Sequence, residues 1–161
     1  MDRNEWIARA KRGTVYSEWP FRILPWLAGQ DGFTPGPFTF IRPRSKRDES
    51  LHVHEYQHRY QFSKNPVRYF GYVVDKKTRF DLEVEAYAAQ LSWFAREIWS
   101  IRVVGYATNL SQNYSLNKSF EDCRDAILAK ADGFVAPYAK DATVPPAWQW
   151  PGLMARFMHL K

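Results

Sequence analysis

The chain has 161 residues, of which 45% are hydrophobic and 25% charged, and it carries a net charge of +6 with a pI of about 9.5. This composition excludes an intrinsically disordered chain and fits a single domain over 1–161, long enough to bury a core. One cysteine, Cys123, excludes an internal disulfide, and no run approaches 18 uncharged apolar residues, so no membrane-spanning helix is expected. The excess positive charge favours acidic partners such as nucleic acid, anionic cell-wall polymer or a membrane surface, without choosing among them. The opening residues hold no apolar h-region, so no signal peptide is expected.

In chain order, residues 2–12 read as a short basic helix with Trp6, Ile7 and Ala10 on one side, ended by Gly13. Residues 14–43 form an extended or β part punctuated by five prolines. Its best strands are 15–19 and 38–41, which the prolines relegate to edges. A basic loop follows at 42–47. Asp48 or Ser50 then caps a helix over about 50–63. Asn65-Pro66 breaks it and starts another through about Val74. The longest helical segment spans about 78–101, with Leu82, Ala86, Ala89, Trp93 and Ile98 as its apolar stripe. Residues 105–118 read as a loop. Ser119 and Asp122 form a capping box for a helix to about Ala131, and a Pro/Trp-rich arm at 142–152 leads to a short helix at 152–160. The fold class is α+β and mainly helical, with a small N-terminal β element, helices over about 50–101 and a C-terminal part over 119–161.

The chemistry concentrates at His54-Glu55-Tyr56-Gln57-His58, an H-E-x-x-H pattern that falls on an expected helix. Residues four apart share a helix face, so His54 and His58 can reach one metal ion, and Glu55 can act on a water beside it. A catalytic zinc site takes three protein ligands and keeps a position for water. The metzincin layout would need Gly at 61 and His at 64. The chain has Gln61 and Lys64, so that layout is excluded. Carboxylates at Asp81, Glu83 and Glu85 follow on the long helix. Glu83 and Glu85 lie about 200° apart around it, so only one of them can face the metal.

This arrangement, a motif helix and then Glu83-Val84-Glu85-Ala86 some 25 residues later, resembles the gluzincin metallopeptidases, in particular their small minimal bacterial and phage members. The likeness covers roughly residues 50–95. It implies a zincin-like fold, Zn2+ as cofactor, His54, His58 and Glu83 as metal ligands, and Glu55 as general base. Glu83 is preferred because it stands three residues before the small Ala86, and Glu85 is the alternative. The position after the small residue often holds an acid that supports a ligand histidine. Tyr87 stands there instead.

The expected activity is hydrolysis of a peptide bond in a protein or cell-wall (peptidoglycan) peptide by a zinc-activated water. Tyr69, Tyr72, Tyr87 and His159 are the candidates for stabilising the oxyanion, and the segment 37–41 is expected to edge the cleft. The alternative is a catalytically inactive assembly protein, such as a phage virion component, that keeps the metal site and makes contacts through its seven Trp, nine Tyr and eleven Phe. The corresponding locations are the cytoplasm or a virion. Nucleic-acid binding through the 42–47 loop ranks last, since no recognised motif backs it. His52 lies on another helix face from His54 and reads as a helix-start residue, and Cys123 reads as buried.

Overall fold

The computed structural model describes residues 3–133. The arm at 142–152, the helix at 152–160 and His159 lie outside the described residues. Among the described residues, seven α-helices and a three-stranded sheet make a mainly helical α+β architecture. The order is α1 (Arg3–Lys11), β1 (Thr14–Tyr16), α2 (Trp19–Ile23), β2 (Gly32–Phe33), β3 (Thr39–Ile41), α3 (Glu49–Lys64), α4 (Pro66–Val74), α5 (Lys76–Ser92), α6 (Trp99–Asn113) and α7 (Phe120–Asp132), with single 3-10 turns between some of them.

Local chemistry sets most of these boundaries. Gly13, at φ +76°, ends α1 in a conformation that costs a glycine little. Asp48 caps α3 by accepting from the Leu51 amide at 3.1 Å. Asn65 accepts from Arg68 N, and Pro66 opens α4. Asp75 accepts from the amides of Lys77 and Thr78 at the start of α5. Ser119 and Asp122 form the expected reciprocal box at α7.

Four expectations are corrected. The extended run 15–19 ends as a strand at Tyr16, because Pro20 sits in the first turn of α2, where its fixed φ and missing N–H suit a helix start. The second strand is central rather than an edge. β3 pairs parallel with β1 and antiparallel with β2, in the order β1-β3-β2, because Pro37 and Pro43 flank it and lie outside its ladder. The long helix over 78–101 is two helices. Trp93 closes α5 still in helical conformation and packs 5.1 Å from Trp6, the chain turns extended at Ala95 (φ −61°, ψ 144°), and the indole of Trp99 at the start of α6 donates to the Phe94 carbonyl. Tertiary packing overrides helix propensity there. Finally, α6 runs to Asn113 through the supposed loop. Val103, Ala107 and Leu110 form its buried stripe, while the Asn, Ser and Gln residues that suggested a loop lie on its other faces.

Two apolar clusters hold these elements. Leu91, Val103, Leu110, Cys123 and Ile127 join α5, α6 and α7. Trp6, Ile7, Ala10, Val53, Ala89 and Trp93 join α1, α3 and α5. Arg59 on α3 adds a polar tie by donating to the carbonyls of Ala10 and Arg12 at the end of α1. Helix α3 is thereby fixed between α1 and α5, and its polar motif face meets α5 in the interior.

Candidate metal centre

The helical period brings the two motif histidines together, as expected. His54 Nε2 stands 3.2 Å from His58 Nε2. Helix α5 supplies Glu83, whose Oε2 lies 3.5 Å from His54 Nε2 and whose Oε1 lies 3.5 Å from His58 Nε2. All three side chains are buried, and their ligand atoms lie within 4.8 Å of one another. Glu85 points elsewhere. It accepts from Gln61 at 3.0 Å and pairs with Arg68 at 3.5 Å and Lys130 at 3.6 Å. Arg79 is not among its partners. Arg79 instead donates to the carbonyls of Tyr72, Val73 and Tyr114.

Gln61, a residue the motif search passed over, orients His58. Its Nε2 donates to the Leu82 carbonyl at 2.9 Å and to Glu85 at 3.0 Å, which turns its Oε1 towards His58 Nδ1 at 2.9 Å. An amide oxygen only accepts, so Nδ1 is the nitrogen that carries hydrogen. The lone pair of the neutral ring is therefore on Nε2, facing His54 and Glu83. His54 has no such partner, and its Nδ1 is buried without a hydrogen bond. Tyr87, in the position where an acid was looked for, packs its ring edge-on 4.5 Å from the His54 ring. Its hydroxyl accepts from Asn109 and faces Tyr114.

The donor set fits a divalent metal ion. Ligand atoms about 2.0–2.1 Å from a tetrahedral centre stand about 3.3 Å apart, close to the separations of 3.2 and 3.5 Å seen here. Glu83 Oε2 is buried with no hydrogen-bond partner, an unpaired acceptor aimed at the two imidazoles. Its Oε1 accepts from the Tyr72 hydroxyl at 2.5 Å, which leaves Oε2 as the free ligand atom. Burial alone would favour a neutral His58, but the Glu83 carboxylate overrides it and raises the imidazole pKa to about 9. Glu83 is burdened by the same burial, yet the facing His58 and His54 hold it well below the usual carboxylate range. Two imidazoles and an anion thus share a buried space that a cation would neutralise.

Glu55 is positioned by different elements. Its Oε2 accepts from Thr34 Oγ1 at 2.6 Å, and Thr34 is itself in contact with Thr39 Oγ1 at 2.9 Å. Its Oε1 lies against Gly32 on β2. A Cβ added there would stand 2.2 Å from that oxygen, so the strand can pass this close only because residue 32 is glycine. No local sequence signal marks Thr34 or Gly32, because both act from a loop and strand about twenty residues upstream of the motif.

His54, Glu55, His58 and Glu83 open onto a cavity of about 700 Å³. Its wider walls include Leu27, Phe33, Phe62, Phe70, Val73 and Tyr114. The strand at its edge is β2, which among the described residues pairs on one side only, and not the segment 37–41, which carries the central strand. Of the four expected oxyanion donors, Tyr69 and Tyr72 line this cavity and His159 lies outside the described residues. Tyr87 is committed to Asn109. Burial, reinforced by nearby carboxylates, pushes the Tyr69 and Tyr72 phenols up, so both stay protonated at neutral pH, with Tyr69 donating to the Thr34 carbonyl and Tyr72 to Glu83 Oε1. His52 takes no part. It bonds to the Asp48 carbonyl at 2.7 Å and to the Tyr16 hydroxyl at 2.9 Å.

Comparison with protein-family models, with curated proteins and with solved structures finds no match. The functional reading therefore rests on the geometry of this chain.

Proposed function

We propose that this protein is a zinc-dependent peptide-bond hydrolase with a zincin-like fold of the gluzincin type. The observation that carries the reading is the convergence of His54 Nε2, His58 Nε2 and the unpartnered Glu83 Oε2 in one buried group. Two imidazoles and a carboxylate suit zinc better than calcium or magnesium, which favour all-oxygen sites. When bound, the metal supplies Lewis-acid polarisation of the scissile carbonyl and acidifies the attacking water.

The remaining work falls to side chains. Glu55 takes the proton of the attacking water on Oε1 while Thr34 holds Oε2, and it returns that proton to the leaving amine. Tyr72 already donates its proton to Glu83 Oε1, so the oxyanion donor within the cavity is Tyr69, by release of its hydrogen bond to the Thr34 carbonyl. The unpaired side of β2 can add an extended peptide as a further strand, and the apolar walls beyond it suit bulky side chains. A protein or cell-wall peptide is the substrate class.

One observation favours a second reading, an assembly protein that keeps the metal but not the reaction. Ligand histidines in catalytic sites almost always donate their second nitrogen to a partner, and His54 Nδ1 has none. Metal content by mass, followed by hydrolysis assays on casein and on peptidoglycan, separates the two. The hydrolase reading expects about one zinc per chain. It also expects a Glu55→Gln variant that retains zinc but loses roughly 10²–10⁴ in kcat. Zinc binding with full-rate hydrolysis by Glu55→Gln would falsify the general-base role. Zinc binding with no hydrolysis of either substrate leaves the assembly reading. Absence of zinc, with His54→Ala silent in every assay, removes both.

A further inference from the structure

Helix α4 is built inside out. Its inward face is Tyr69 and Tyr72, the two phenols of the site, and Gly71, whose missing Cβ lets Thr78 of α5 approach to about van der Waals distance. Its outward face carries the apolar residues. Val67 is 80% exposed, Phe70 67%, Val73 71% and Val74 85%. On a helix, Val67, Phe70 and Val74 fall within about 60° of arc, and Val73 extends the stripe by about 60° more. Scattered exposed aliphatic residues need no explanation, but four on two successive turns of one helix form a contiguous patch.

Basic side chains stand at both ends of this patch. Lys64 precedes α4, Arg68 lies in its first turn, and Lys76 and Lys77 follow it; all four are exposed. The carboxylates in reach are Asp75, which caps α5, Asp81, paired with Lys77 at 2.8 Å, and Glu85, 3.5 Å from Arg68. No acidic residue lies between Pro66 and Val74. An apolar stripe flanked by cations at both ends is the pattern of a helix that lies in a membrane interface, apolar face in the acyl boundary and basic groups among anionic headgroups. The nine residues of α4 extend about 13 Å, enough to lie in that plane and far too short to cross it. No helix among the described residues is long and apolar enough to span a bilayer.

We propose that α4 is a membrane-surface docking helix for anionic lipid. Phe70 and Val73 belong both to the stripe and to the cavity wall, so docking sets one rim of the metal cavity at the bilayer surface. The substrate is then one presented at a membrane. The inference does not depend on the metal reading, because vesicle binding is measured without metal or turnover.

The test is sedimentation of the full-length protein with vesicles of phosphatidylcholine alone and with a quarter phosphatidylglycerol. Binding is expected to the anionic vesicles, at least tenfold weaker to neutral ones, and to fall steeply as salt is raised. Val67→Asp and Val74→Asp, at positions outside the cavity, are each expected to weaken binding at least tenfold, and Lys64→Glu with Lys76→Glu by a similar factor. Ile101→Asp, an equally exposed aliphatic position on α6 (73%), should bind as wild type. Thermal melting of each variant checks folding, and the exposed positions make unfolding an unexpected outcome. The proposal is overturned if anionic vesicles do not bind. It is also overturned if Ile101→Asp matches the α4 variants. Concentration-dependent self-association, abolished by Val67→Asp and with no vesicle binding, would assign the stripe to a second copy of the chain instead.

Discussion

Replacing Gln61 by leucine removes the one side chain that decides which nitrogen of His58 faces Glu83. The change keeps approximate volume and deletes three hydrogen bonds of 2.9, 2.9 and 3.0 Å. The Leu82 carbonyl lies within α5 and keeps its place in the helical ladder, so its loss is small. His58 Nδ1–H is left buried without an acceptor, which costs about 1–3 kcal/mol. Freed from Gln61, the ring can also place its hydrogen on Nε2, and removing such an orienting partner lowers metal affinity about 10–100-fold. Gln61→Leu is therefore expected to lose about that factor in zinc affinity by chelator competition, and to unfold at lower urea even without metal. The exchange Gln61→Glu with Glu85→Gln supplies the discriminating arm. Glu at 61 can accept from His58 Nδ1, and Gln at 85 can donate to it, so affinity should return to within a few-fold of wild type. Gln61→Glu alone sets two carboxylates about 3 Å apart and should be less stable than the pair. Zinc affinity within twofold of wild type in Gln61→Leu, with the His58 tautomer unchanged by 15N NMR above pH 9, would refute the argument.

Three further outcomes are expected. Gly32→Ala forces a Cβ to within 2.2 Å of Glu55 Oε1, so the carboxylate must move by the better part of an ångström; zinc content should hold while hydrolysis falls about 10²-fold, and an active variant would remove Glu55 from the chemistry. Tyr72→Phe takes away the 2.5 Å bond that occupies Glu83 Oε1, and zinc affinity should fall about tenfold with little change in melting temperature, which isothermal titration and calorimetry check together. In metal-free protein, the raised His58 pKa stabilises the fold fully below about 6.5 and progressively less as pH rises to about 9, so the urea midpoint should fall across that window. Saturating zinc should flatten this fall, and a midpoint that climbs from pH 6.5 to 9 in the metal-free protein would contradict the His58–Glu83 pairing.

Local features of the chain were readable wherever the chemistry is local. His54 and His58 needed only the helical period, the cap box at Ser119 and the break at Asn65-Pro66 needed only their own turns, and the α3 cap was narrowed to Asp48 or Ser50, of which Asp48 serves. Glu83 was harder. Helix geometry showed that Glu83 and Glu85 could not both face the metal, but only a resemblance to other motifs chose between them. The physical discriminator lies in three dimensions. Glu83 meets Tyr72 from α4, while Glu85 meets Gln61, Arg68 and Lys130. The break at 93–95 was invisible because no Gly or Pro marks it, and the contact beside it, Trp93 on Trp6, joins residues almost ninety apart in sequence. Helix α6 was misread because a helix with a narrow buried stripe shows mostly polar residues, and their type outweighed the spacing of Val103, Ala107 and Leu110.

The site is assembled from two independent supports, and that separation has a consequence for its chemistry. The ligand group hangs on the helices. His54 and His58 come from α3 and Glu83 from α5, with Tyr72 from α4 and Gln61 fixing the outer atoms. The proposed proton carrier hangs on the β element, where Glu55 is clamped between Gly32 and Thr34. The two supports meet at Glu55, which sits on α3 beside His54 but points its carboxylate at the sheet, and at Tyr69 of α4, whose hydroxyl donates to the Thr34 carbonyl. A disturbance of Gly32 or Thr34 should therefore remove proton transfer and spare metal binding, and a disturbance of Tyr72 or of Gln61 should do the reverse. The missing partner on His54 Nδ1 fits this division, since the ring is held in place by Tyr87 packing rather than by a hydrogen bond. Orientation by packing fixes the plane of the imidazole but not its tautomer. The polar control of the ligand group has thus moved from the first motif histidine to the second, and Gln61 is where it acts.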